Sequence, residues 1–206
     1  MIAIINYGVG NLFSISRSFE YIGLESIITD NVTEIKNASH IVLPGVGAFG
    51  DAINKLTSTG LIPTLDDCVK KGTPFLGVCL GMQLLFEKSY EYGEHTGLGY
   101  IKGEICPIQP DLTAIKCDYK VPHMGWNALK LVDNNNKLMK FTNYGEHMYF
   151  VHSFYAKDCD NSLVASAEYG IEVPAVVASQ NVYGCQFHPE KSGECGLKIL
   201  KAFGEM

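Results

Sequence analysis

The sequence predicts an α/β protein, with a mostly parallel central sheet flanked by helices and additional antiparallel strands in the second half. Three observations predict it. Up to Lys88, short apolar runs alternate with amphipathic stretches of helical spacing, the rhythm of βαβ units folding into a parallel sheet with helices on both faces. The second half changes to strand-like runs, some separated by turn residues such as Asp133-Asn134-Asn135-Asn136. The 206 residues, 47% hydrophobic and 18% charged, can bury one good core and are short for two. No repeat, low-complexity tract or linker divides the chain, so residues 1–206 read as a single domain.

Ile2–Ile5 is an apolar strand, and Asn6–Asn11 is the turn after it. Leu12–Ile22 carries Leu12, Ile15, Phe19 and Ile22 at helical spacing and stops at Gly23. Ser26–Thr29 and Ile41–Leu43 are further strands, the latter ending in Pro44 and a glycine-rich turn. Asp51–Leu56 begins a helix, Leu61–Lys71 is another, and Thr73–Val78 is a buried strand running into Cys79. Met82–Lys88 reads as helical. Strands are then expected over Gly97–Ile108, His123–Leu131, Met148–Tyr155, Leu163–Glu168, Ala175–Ser179 and Val182–Phe187. Gly193–Phe203 has the apolar spacing of a closing helix.

A net charge of −6 argues against a general nucleic-acid binder, which carries a basic footprint. No apolar run approaches the roughly 20 residues of a membrane span. The first residues lack the basic flank and long apolar region of a signal peptide, so a cytoplasmic protein is expected. The seven cysteines are irregularly spaced and include no C-x-x-C pair, so reduced thiols are expected rather than a disulfide framework.

One cysteine differs from the rest. Gly77-Val78-Cys79-Leu80-Gly81 fits G-x-[S/C]-x-G between an apolar strand and a helix, the setting of a nucleophile elbow. Such a turn needs small neighbours on both sides, exposes the sulfur at a helix N-terminus and frees the Leu80 amide to donate to an oxyanion. The plain alternative is a buried cysteine between two packing glycines.

A thiol nucleophile needs a base. His188 follows an apolar strand in Phe187-His188-Pro189-Glu190, where Pro189 favours extended geometry at His188. Residues i and i+2 of an extended segment share a side, so Glu190 can hold one ring nitrogen and leave the other for sulfur. Taken alone, the tripeptide also reads as a surface turn. Cys185, His188 and Cys195 suggest metal ligands only weakly, since Pro189 intervenes and a fourth ligand is missing. Pro44–Gly50 contains G-x-G-x-x-G, but not in the first βαβ unit and with no acidic residue at a following strand end, which disfavours dinucleotide binding. Close backbone approach to a substrate, with an amide for an oxyanion hole, is the other use of such a loop.

Together, Pro44–Gly50, Gly77–Gly81 and His188-Pro189-Glu190 resemble the class I, triad-type glutamine amidotransferases. Val121–Asn127, Tyr149–Tyr155 and Gln186–Ser192 resemble, within that class, the glutaminase subunits of imidazole glycerol phosphate synthase. The resemblance implies a flavodoxin-like glutaminase fold, with Cys79 as nucleophile, His188 as acid/base and Glu190 as its orienter. It implies an oxyanion hole from the Leu80 amide and one in Gly45–Gly47, Val46 or Gly47. Gln83, Glu91, Ser153 and Tyr155 match substrate-binding positions, and Asn11, Trp126 and Lys191 the face toward a partner. His123 and His152 are then supporting or structural histidines. No cofactor and no metal are implied.

The activity implied is hydrolysis of L-glutamine to glutamate and ammonia through a Cys79 thioester. The ammonia would pass to a (β/α)8-barrel synthase or cyclase subunit, held as a heterodimer, that makes imidazole glycerol phosphate and AICAR in histidine biosynthesis. A paralogous glutaminase serving another synthase, such as one amidating a surface sugar, is the alternative.

Overall fold

The computed structural model describes all residues, 1–206. In chain order the elements are β1 (Ile2–Ile5), α1 (Leu12–Tyr21), β2 (Ser26–Thr29), α2 (Val32–Asn37), β3 (His40–Gly45), α3 (Phe49–Ser58), α4 (Ile62–Lys70), β4 (Phe75–Cys79) and α5 (Leu80–Gln83). They continue with β5 (Phe86–Ser89), β6 (His95–Thr96), β7 (Ile101–Pro107), α6 (Ile108–Ala114), β8 (His123–Leu131), β9 (His147–His152) and β10 (Phe154–Lys157). The last are β11 (Leu163–Tyr169), β12 (Ile171–Ser179), β13 (Val182–Cys185) and α7 (Gly193–Gly204).

Nine strands form one sheet in the order β2-β1-β3-β4-β13-β12-β11-β8-β9. The run from β2 to β13 is parallel, and every pairing from β13 to β9 is antiparallel. This is the α/β fold with antiparallel additions that the sequence predicts. A smaller sheet, β10-β7-β5-β6, lies apart from it.

Alternation of side chains across the strands divides the core between the two faces. Ile2 and Ile4 of β1, Val42 of β3 and Val78 of β4 join Phe19 of α1 and Leu200 and Phe203 of α7 in one apolar cluster. Ile5, Ile41, Leu43 and Phe75 point the other way, to Ile35 of α2, Leu56 of α3 and Leu65 of α4. Both faces are covered, which is why these strands read as unbroken apolar runs. The smaller sheet closes the second cluster with Phe86, Ile101 and Ala156. No helix is long and apolar enough to cross a membrane.

Three local expectations are corrected. Met82–Lys88 is not a helix: α5 ends at Gln83 and β5 begins at Phe86. Leu84, Leu85 and Phe86 are all fully buried, so this stretch has no polar face for an amphipathic helix. Phe86 pairs instead with Ile101 of β7. Met148–Tyr155 is not one strand. It breaks at Ser153, with His152 opposite His123 in the large sheet and Tyr155 opposite Cys106 in the small one. Two short helices also come in addition to those expected. Asn31 caps α2, its Oδ1 accepting from the Thr33 and Glu34 amides at 2.9 and 3.2 Å. α6 buries Ile108 and Leu112 against Val173.

Candidate active site

β3, β4 and β13 are parallel neighbours, so their carboxyl ends emerge side by side. Open α/β sheets bind their ligands outside those ends. β3 leads into Val46-Gly47, β4 ends on Cys79, and β13 leads to Gln186 and His188. Topology thus brings together three segments far apart in sequence. A cleft of about 370 Å³ opens among them, lined by Val46, Gly47, Cys79, Leu80, Gln83, Glu91, Ser153, His188 and Lys191 with four further residues.

Cys79 sits at φ +55° and ψ −113°, a left-handed backbone conformation that costs energy for a non-glycine residue. Its neighbours show why the turn needs glycine. A Cβ on Gly81 would lie 1.9 Å from the Leu43 carbonyl oxygen, and one on Gly77 would lie 2.6 Å from the Gly81 carbonyl oxygen. A Cβ on Gly45 would meet the Gly81 nitrogen at 2.6 Å, so the glycine-rich loop and the elbow touch backbone to backbone. The Tyr7 hydroxyl donates to the Pro44 carbonyl at 2.6 Å, tying that loop to the end of β1. Helix α5 is a single turn, so the dipole behind Cys79 is smaller than a longer helix would supply.

His188 is 3% exposed, and its Nδ1 lies 2.8 Å from Oε1 of the fully buried Glu190. Burial opposes charging the ring, but contacts with Cys79 and Glu190 outweigh it and push the His188 pKa up to about 9. With Nδ1 turned to Glu190, Nε2 is the nitrogen that faces sulfur. Ser192 Oγ donates to the His188 carbonyl at 2.6 Å and fixes the backbone there. Asn11 Nδ2 reaches Glu190 Oε1 at 3.4 Å, while Glu190 Oε2 is buried without a partner.

The other residues singled out in the sequence divide into two groups. Gln83 lines the cleft but spends both amide hydrogens internally, donating at 3.0 Å to the Phe154 carbonyl and at 3.0 Å to Gln186 Oε1. Its own Oε1 is what remains for a substrate N–H. Glu91 lines the cleft, accepts from the Phe49 amide at 2.6 Å, and has its pKa raised by burial. Ser153 also lies on the cleft wall. Tyr155 does not: it is on the far side of the Ser153 break, with its hydroxyl donating to Asp111 at 2.8 Å. Trp126 is 54% exposed, with its ring 5.9 Å from that of Tyr149. Lys191 Nζ lies 6.0 Å from the same Tyr149 ring. Of these three, Lys191 lines the cleft, Trp126 shares the Tyr149 ring with it, and Asn11 contacts the Glu190 carboxylate.

His152 lines the cleft, and His123 stands behind it, Nδ1 to His152 Nε2 at 3.0 Å. His152 Nδ1 donates to the Phe154 carbonyl at 2.8 Å, so this one carbonyl anchors both His152 and Gln83. Burial, then the neighbouring His123, pushes the His152 pKa down to about 3, and it stays neutral.

Gln186 enters the sequence analysis only as the start of the Gln186–Ser192 segment, with no role of its own, yet it is fully buried beside the nucleophile. The available signal was an amide side chain between Cys185 and Phe187 at the exit of an otherwise apolar strand.

Residues 3–205 match the family described as glutamine amidotransferase class-I. The chain is 48% identical to an imidazole glycerol phosphate synthase subunit HisH of Caldanaerobacter subterraneus subsp. tengcongensis, over 100% of this chain and 98% of the relative. It is 47% identical to the protein of the same description from Bacillus subtilis, over 100% of this chain and 96% of the relative. Among solved structures, PurLQS from Thermotoga maritima superposes with a TM-score of 0.75 at 18% identity, covering 98% of this chain and 96% of that one. A structure described as a glutamine amidotransferase gives 0.74 at 15%, covering 99% and 100%. At those identities the likeness is one of fold.

Proposed function

This chain belongs to the class-I glutamine amidotransferases, and from that premise we propose that it is the glutaminase subunit of an imidazole glycerol phosphate synthase, acting in histidine biosynthesis. The observation that carries the chemistry is the buried line Cys79–His188–Glu190 at the mouth of one cleft. The two relatives described as subunits of that synthase, each matched over nearly its whole length, carry the assignment to that pathway.

In this reading Cys79 Sγ attacks the side-chain amide carbon of L-glutamine after its proton passes to His188 Nε2. Negative charge collects on the former carbonyl oxygen, where the Leu80 amide and an amide of Val46 or Gly47 would stabilise it, a role supported by the place of all three residues on the cleft wall. His188, held protonated by Glu190, gives that proton to the departing nitrogen, and ammonia leaves behind a thioester. Water attacks the thioester as His188 takes its proton. The tetrahedral adduct then expels Cys79, and the sulfur regains a proton as glutamate forms. Glu91 and Ser153 would meet the substrate's charged end, and Gln83 Oε1 would accept from one of its N–H groups; that all three line the cleft supports this reading.

Ammonia would pass across the surface bordered by Asn11, Trp126 and Lys191 to a (β/α)8-barrel partner in the same compartment, the cytoplasm. The expected result is a one-to-one complex with a purified synthase subunit on size-exclusion chromatography. Substituting Trp126→Ala should weaken that complex without unfolding the chain. A chain that never associates with such a synthase subunit argues instead for a glutaminase serving another acceptor.

A further inference from the structure

We propose that Gln186 is a further catalytic residue of this site, its carboxamide N–H donating to the Cys79 sulfur and stabilising it as the thiolate that attacks and later leaves. The proposal rests on the reading of Cys79 as the nucleophile. Its geometric basis is a chain of hydrogen bonds whose directions are fixed one after another. The Phe154 carbonyl can only accept, so the Gln83 end that lies 3.0 Å from it is the amide nitrogen. The second hydrogen of that nitrogen meets Gln186 Oε1 at 3.0 Å. With its oxygen engaged there, Gln186 turns its own nitrogen toward Cys79, and Nε2 lies 3.9 Å from Sγ, a long contact that the bound substrate and the charged sulfur would shorten.

Gln186 is fully buried, and its backbone amide is tied to the Ala175 carbonyl at 2.9 Å, so the donor is held in place. A fixed dipole aimed at a developing charge in a dry site needs no reorganisation when the charge appears. The arrangement also separates two tasks. His188 must take up and release protons during each cycle, whereas the Gln186 amide does not titrate and can hold the sulfur throughout. A hydrogen bond to a charged group is worth more than one between neutral groups, so its loss should be visible in reactivity.

The test is the rate at which iodoacetamide alkylates Cys79 in the full chain, followed on the Cys79 peptide by mass spectrometry across a range of pH. Gln186→Met removes the donor at similar volume. Cys79 alkylation should slow about tenfold at neutral pH, with the pH–rate profile displaced upward by about one unit. Gln186→Glu keeps the shape and the contact from Gln83 while setting a carboxylate against the sulfur. It should shift the profile in the same direction and serves if the methionine variant does not fold. A folded variant with an unchanged rate and profile overturns the role of Gln186, because a merely packed side chain would alter stability alone. A wild-type Cys79 slower to alkylate than the other thiols would instead overturn the reading of Cys79 itself.

Discussion

Cys79→Ala is expected to lower glutamine-dependent synthesis by about 10⁶-fold, the scale seen when a triad nucleophile is removed, while synthesis from added ammonium salt by the assembled enzyme persists. The two halves of that result have separate causes. Without sulfur no thioester forms, and the cleft then offers water no activated carbon. The fold should survive. Alanine removes only the sulfur of this buried residue, and the elbow is held by Gly77, Gly81 and Gly45 in close approach to backbone, not by the cysteine side chain. The partner should therefore still bind and still use free ammonia. Loss of both activities would make Cys79 a structural residue.

His188→Ala is expected to lower glutamine turnover by about 10²–10⁴-fold, the usual contribution of a positioned acid–base group. It should also destabilise the chain. Glu190 is fully buried and accepts from His188 at 2.8 Å, and its second oxygen already has no partner. Removing the ring leaves a buried carboxylate with only the 3.4 Å contact from Asn11, a loss of about 3 kcal/mol or more. Pairing the change with Glu190→Ala removes the stranded charge, so the double variant should regain stability but not turnover. Urea unfolding and glutamate release, measured on both variants, separate the two effects. Turnover within tenfold of wild type in a folded His188→Ala chain contradicts the assignment.

Much of the site was legible in the sequence because its residues sit where regular structure begins or ends. β1 and β8 fall on their predicted bounds. His188 lies just past an apolar strand and Cys79 at the end of one, and the expected contact between His188 and Glu190 forms, but through the 3-10 turn Pro189–Lys191 and not through the alternation of an extended segment. What escaped the sequence depends on tertiary placement. Met148–Tyr155 holds no Gly or Pro to mark a break, but the chain breaks at Ser153 and carries Tyr155 into the smaller sheet. The run Leu84–Phe86 has no periodicity to distinguish a buried helix from a buried strand, and pairing with β7 decides it. Gln186 acquires its meaning only from a chain of bonds running through Gln83 and Phe154, residues that no local pattern joins to it.

A glutaminase that works for a partner should be governed by it. The direct measurement is glutamate release by the chain alone, by its complex with the synthase, and by that complex supplied with the synthase's own ribulosyl aminoimidazole substrate. Slow turnover is expected in the first two and a rise of about 5–150-fold in the third, the usual span of coupling between two sites. Rapid turnover by the chain alone, unchanged by partner or ligand, would contradict it.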